Sequence, residues 1–370
     1  MTWSAFHAES EKLAIEAKAA AKSAITCELS LDLYRRAAAA ERQALDALEA
    51  SKVRTRGITA VSAVALWFKA CEYDQAEQLA HFMLADPLIP DFARSELRHL
   101  VQAIWVEASK REAGVAFIPG EVTVSVRGGE VVTGGAPLDL IVDKVQTIQA
   151  LFYRTLEFLN GVSHRRTGRP SKELQDSCRP WLFQAAPGSY QFSVAIQKPP
   201  QSDFFKEDVQ PEHIAQHFLE IVDASSNDDV QKLEELVPDK IYRTTFLKLT
   251  RNLAPTGKLF DKIELRTSGN TKPITLGVAT RANINLHLRE KPLLAPHPVL
   301  VEEELRGTLR AVHLDKDWLD VVVEGESFHV EGLEDAVDDV IGPMVNRSVI
   351  VRVTRSSPKK FKYIDIELAE

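Results

Sequence analysis

The sequence predicts a multi-domain α+β protein: an all-α, repeat-like N-terminal domain, a central α+β domain with antiparallel strands, and a small C-terminal β-barrel. Three observations lead there. At 370 residues the chain exceeds one ordinary core and suggests two or three units. Near Gly114 the spacing of apolar residues changes from helical to alternating. Farther on, Lys291-Pro-Leu-Leu-Ala-Pro-His-Pro298 carries three prolines in eight residues, which removes backbone donors and favours an extended linker. The expected boundaries are therefore 1–113, 114–290, a linker at 291–298, and 299–370.

Composition narrows the setting. With 45% apolar and 26% charged residues the chain is average for a globular protein, and no run approaches the ~20 apolar residues that span a bilayer. No membrane partner is expected. The N-terminus mixes acids and bases among its apolar residues, unlike a signal peptide, so a soluble, cytoplasmic protein is expected. Cys27, Cys71 and Cys178 are odd in number and lack Cys-x-x-Cys spacing, which fits a reducing compartment and disfavours disulfides and zinc. A net charge of −8 repels polyanions on average, so nucleic-acid contact would need a local basic patch.

From Ser10 to Lys110 the chain is rich in Ala, Leu, Glu, Lys and Arg, with Pro87 and Pro90 its only prolines, as a helical domain requires. Within it, Trp67, Ala70, Tyr73, Ala76 and Ala80, followed by Leu84 and Pro87, form a pattern in which small residues let two helices approach while aromatics fill the gap. Over about thirty residues this resembles the helix-turn-helix unit of tetratricopeptide repeats. No second copy at that period is clear, so the resemblance implies a single helical hairpin of a kind used in protein–protein contact.

Glu121-Val-Thr-Val-Ser-Val126, the turn at Arg127-Gly-Gly129 and Glu130-Val-Val132 predict a hairpin. Leu138, Ile141, Val145, Ile148, Phe152, Thr155 and Leu159 share one face of a long helix between Pro137 and Gly161. Strands are expected at 181–183 and 190–196, helices at 213–224, 228–237 and 240–253, and strands at 262–266, 273–276 and 283–288. The last seventy residues read as three strands (304–314, 318–323, 326–330), a helix (333–344) and two strands (348–354, 361–368). A helix between the third and fourth of five strands is the element order of an OB-type barrel.

The motifs of hydrolases and nucleotide-binding enzymes are absent: there is no Gly-x-Ser-x-Gly, no Walker loop and no helix-opening Gly-x-Gly-x-x-Gly. The glycines from Gly128 to Gly135 read as turns. His213 and His217 stand one helical turn apart with Glu220 in reach, but lack the adjacent glutamate of zinc hydrolases. No cofactor is expected. Two basic clusters stand out. Arg165, Arg166, Arg169 and Lys172 carry four positive charges without an acid, and Gly168-Arg169-Pro170 resembles the core of an AT-hook, whose second arm is missing here. Near the end come Arg347, Arg352, Arg355, Lys359, Lys360 and Lys362, with Phe361 or Tyr363 as a stacking face. Against them, residues 301–370 hold 16 Asp+Glu and 9 Lys+Arg, so the module is dipolar and suits docking on a protein partner or a neighbouring domain.

The expectation is a non-enzymatic adaptor or regulatory subunit, whose module mixture resembles accessory proteins of bacterial defence systems. The alternative is a nucleic-acid-binding protein acting through Arg165, Arg166, Arg169, Lys172, Arg355, Lys359, Lys360 and Lys362.

Overall fold

The computed structural model describes residues 2–21, 27–118, 120–132, 134–184, 190–199, 213–227, 230–267, 273–289, 302–333, 336–357 and 360–369. The expected linker at 291–298 lies outside the described residues. Two compact units emerge: Met1–Val115 with Phe183–Pro187, and Ala116–Leu182 with Gly188–Glu370.

The first unit contains α1 (Trp3–Ala20), α2 (Cys27–Asp46), α3 (Val53–Lys69), α4 (Tyr73–Leu84) and α5 (Asp91–Glu112). Alanines dominate its contacts: Ala37, Ala60, Ala63, Ala76, Ala80 and Ala93 are fully buried, which brings helix axes close. Between α3 and α4 the chain turns through Cys71 at φ 58°, with the Cys71 N–H donating to Phe68 O and the Glu72 N–H to Trp67 O. This is a Schellman-type stop with a residue other than glycine in the left-handed position. In α5, Asp91 in the first turn and Lys110 and Arg111 in the last complement the helix dipole.

The second unit begins with a five-stranded sheet in the order β2-β3-β1-β4-β5. Its strands are β1 (Val122–Arg127), β2 (Pro180–Gln184), β3 (Tyr190–Ile196), β4 (Lys262–Thr267) and β5 (Ile274–Gly277). β1 is central and antiparallel to both β3 and β4, placing Val124 between Phe192 and Leu265. The expected hairpin of 121–126 with 130–132 is therefore corrected. Gly128 and Gly129 turn the chain, but residues after them make only isolated bridges, because β1 finds its partners far away in sequence. Helices α6 (Leu138–Leu159), α8 (Ile214–Ser226), α9 (Val230–Leu236) and α10 (Lys240–Leu253) follow the expected pattern, whereas the short α7 (Lys172–Ser177), capped by the Ser171 side chain, is not among the expected elements. Phe152 of α6 stacks on Phe218 of α8 at 4.1 Å. Gly161, at φ 60°, ends α6, and Asp239 caps α10 by accepting from the Ile241 and Tyr242 N–H groups.

The strand expected at 283–288 is instead part of helix α11 (Val278–Arg289). Its alternating Ile284, Leu286 and Leu288 imitate a strand. The face that is buried consists of Thr280, Arg281 and Ile284, at helical spacing and mostly polar, while Leu286 is exposed. A reading of apolar periodicity does not see a polar buried face.

The last seventy residues close into a barrel, β10-β8-β7-β6-β9. It comprises β6 (Glu302–His313), β7 (Trp318–Val323), β8 (Glu326–Glu331), β9 (Ser348–Ser357) and β10 (Lys360–Leu368). All neighbours are antiparallel except β8 and β10, which pair in parallel at Phe361–Val330 and Lys362–Glu331. Helix α12 (Asp338–Ile341) lies between the third and fourth strands, the order expected for an OB-type barrel, but is shorter than the expected 333–344. Pro343 falls in the 3₁₀ turn that follows it. A bulge in β10 between Tyr363 and Asp365 changes which side faces the interior: Phe361 and Tyr363 are buried before it, Ile366 and Leu368 after it. Gly307 sits where a side chain would run into the Val322 carbonyl of β7, so the curvature of β6 requires glycine there.

Gly307→Ala is expected to lower stability by about 1–3 kcal/mol, since backbone is the obstacle. Gly277→Ala, with open space around it, serves as the near-neutral control, and denaturant unfolding of both checks the contrast.

Candidate interaction surfaces

The basic residues after α6 meet acids of the barrel. Arg154 of α6, fully buried, donates through Nε to Asp339 of α12 at 2.7 Å. Arg165 reaches the same carboxylate at 2.8 Å and Glu157 at 3.0 Å. Arg166 pairs with Asp317 and donates to the carbonyls of Leu333 (2.8 Å) and Ala336 (3.4 Å). Backbone completes the joint: the Asp338 N–H donates to Arg166 O at 3.0 Å, and the Gly168 N–H to Asp338 at 3.2 Å. Two of the expected nucleic-acid ligands, Arg165 and Arg166, thus bind within their own unit.

A second joint is deeper. Asp365, turned outward by the β10 bulge, pairs with Arg251 of α10 and with Arg352 of β9 at 3.1 Å, and Lys248 Nζ lies 3.8 Å away. Arg251 also donates to Ile366 O at 2.6 Å. Burial alone would raise the Asp365 carboxyl, but the charges of Arg251, Lys248 and Arg352 and a hydrogen bond from Arg251 hold it well below the usual carboxylate range. Beside it, Arg281 of α11 bonds Glu367 (3.2 Å) and Leu368 O (2.7 Å). A third link pairs Arg347 with Asp143 of α6, whose other oxygen is 3.0 Å from the buried Lys144 Nζ.

His164 stands at the edge of the first joint. Its Nε2 is 2.9 Å from Thr245 Oγ1, and its ring meets Tyr242 edge-on. The Thr245 hydroxyl gives its proton to Ile241 O at 3.0 Å, so Nε2 carries the imidazole hydrogen. Burial first, then the nearby Arg154, push the His164 pKa down to about 4.

The other expected basic residues differ in environment. Arg169 and Lys172 are exposed, Lys172 as the first residue of α7. Arg355 lies 3.3 Å from Glu303 and over the Phe361 ring. Lys360 and Lys362 are exposed at the start of β10, and Lys359 lies outside the described residues. Phe361 and Tyr363 are buried and offer no stacking face, a correction that follows from the β10 bulge. The clusters approach one end of the barrel: Arg166 bonds Leu333 O, and the Lys362 side chain covers the adjacent Gly332.

The aromatic face lies elsewhere. Leu319, Val321 and Val330 point inward, leaving Trp318, Asp320, His329 and Glu331 on the outer side of β7 and β8. A row runs across four strands, His313–Trp318–Glu331–Lys362. The Trp318 ring sits 5.8 Å from that of His313 and 5.3 Å from that of His329, and His329 Nδ1 is 2.7 Å from Asp320. Sequence reading missed this group. The signal was present in Glu324-Gly325, a two-residue turn with both φ positive, which fixes these residues opposite one another.

Among the described residues, no three His, Cys, Asp or Glu side chains gather to hold a metal ion, and no helix is long and apolar enough to cross a membrane. His217 lies 3.4 Å from Glu220 on an exposed face. Comparison with known proteins finds no matching family model, no matching curated protein and no matching solved structure.

Two outcomes follow. Asp365→Asn leaves Arg251 buried without its counter-charge and is expected to cost about 3–5 kcal/mol in denaturant unfolding. His164 is neutral in the folded chain down to about pH 4, whereas the unfolded imidazole takes up a proton near its ordinary value of about 6.5. Its contribution is complete above that value and is lost as pH falls. Thermal melts of His164→Gln should therefore decline less between neutral pH and pH 4 than those of the wild type.

Proposed function

We propose that the chain is a non-enzymatic adaptor or regulatory subunit that holds protein partners. The observation that carries this reading is the set of large apolar side chains left in solvent on the helical unit: Ile58, Phe82, Leu88, Phe92 and Trp105 are each at least 40% exposed. A contiguous apolar patch on a folded chain is a surface that a protein partner covers. The alanine-packed hairpin of α3 and α4, similar in its residues to a tetratricopeptide unit, is a scaffold suited to that use. A place among accessory proteins of bacterial defence systems, in the cytoplasm, is compatible with this reading and rests on the likeness of its modules alone.

A second reading, nucleic-acid binding, is favoured by one observation: the exposed Lys362 covers Gly332, beside the Leu333 carbonyl that Arg166 bonds. In that case affinity falls steeply with salt and weakens when Arg169, Lys172, Lys360 and Lys362 become Ala.

Native mass spectrometry and co-purification from the source cells test the adaptor reading. The expected result is a stoichiometric protein partner that is lost on Phe82→Ser with Phe92→Ser, at an unchanged melting temperature. A chain that remains monomeric and captures no protein would overturn it.

A further inference from the structure

We propose that the outer face of the β7–β8 hairpin is a docking site for an arginine-bearing segment of a protein partner, with a guanidinium stacked on Trp318 and paired with Glu331. This deepens the adaptor reading and rests on it.

Charge identifies the occupant. From Asp317 to Glu331 the chain holds five acids and neither Lys nor Arg. Asp317 is engaged by Arg166 and Asp320 by His329, and strand alternation puts Glu326 on the opposite face, which leaves Glu331 as the acid beside Trp318 on the outer face, with Glu324 in the turn. Such a surface repels a phosphate backbone and attracts a cation. Geometry adds selectivity. Trp318 and Glu331 are directly opposed across the two strands, so their side chains emerge about 5 Å apart. A planar cation can lie on the indole and reach the carboxylate with its N–H fork, which an ammonium does less well. The imidazoles of His313 and His329 brace the indole on two sides, and Asp320 orients His329. Lys362, beside Glu331, is the one cation of the row and sets its edge.

Fluorescence anisotropy with a short labelled peptide of alternating arginine and glycine, titrated with the full chain, tests the site. The peptide is expected to bind, its lysine counterpart to bind more weakly, and an oligothymidylate of similar length not to bind. Trp318→Ala should weaken the arginine peptide about tenfold and Glu331→Gln about threefold. Glu331 is exposed, so Glu331→Gln remains informative should Trp318→Ala unfold. No binding of the arginine peptide, equal affinity for the lysine peptide, affinity unchanged in both variants, or oligothymidylate binding that depends on Trp318 each sinks the site. A natural partner still captured by Trp318→Ala and Glu331→Gln also sinks the site but leaves the adaptor reading intact. A chain that binds neither peptide nor any partner overturns both.

Discussion

A single buried carboxylate, Asp365 among Arg251, Lys248 and Arg352, is the constraint on which the second unit depends. Taking four charged groups out of water is costly, and such clusters contribute little net stability compared with apolar packing. Their value is positional. Asp365 points outward only because the bulge in β10 reverses the alternation of that strand, and Arg251 reaches it only from the inner face of α10. Barrel and helices are therefore fixed in one register, because any slip would strand a charge away from water.

The same logic explains the charge distribution. The C-terminal module is strongly acidic and the segment after α6 strongly basic, and much of that asymmetry is resolved internally. Asp317, Asp338 and Asp339 receive Arg154, Arg165, Arg166 and the Gly168 N–H. Arg165 and Arg166, which look like polyanion ligands in isolation, are bridges within one unit. The surface left over is more acidic than the sequence average on the β7–β8 hairpin and more basic at the start of β10. Its polarity after these internal pairs, rather than the raw count of charges, is what a partner meets.

Much of the fold was legible because apolar period and turn chemistry agree: the long face of α6, the helical N-terminal unit, and the five strands with an intervening helix at the end. What escaped was set by contacts distant in sequence. β1 reads as half of a local hairpin, yet its partners lie about seventy and one hundred and forty residues away. The face that buries α11 is polar, so Arg281 and Asn285, reaching for Glu367, left no apolar signature. Both halves of the first joint were visible as a basic loop and an acidic run, but nothing in either states that they meet. Trp318 was visible only as the first residue of a strand, since its neighbours are set by strand register.

Among the described residues, the parallel contact between β8 and β10 that closes the barrel comprises two residue pairs, Phe361–Val330 and Lys362–Glu331. A cylinder fastened by so narrow a seam would ordinarily come apart there, with its last strand peeling away first. Here that strand is also anchored from outside, by α10 through Asp365 and by α11 through Glu367. The seam cannot part fully without drawing a carboxylate from its bed of cations, so the mechanical integrity of the barrel is lent to it by helices that belong to the neighbouring sheet.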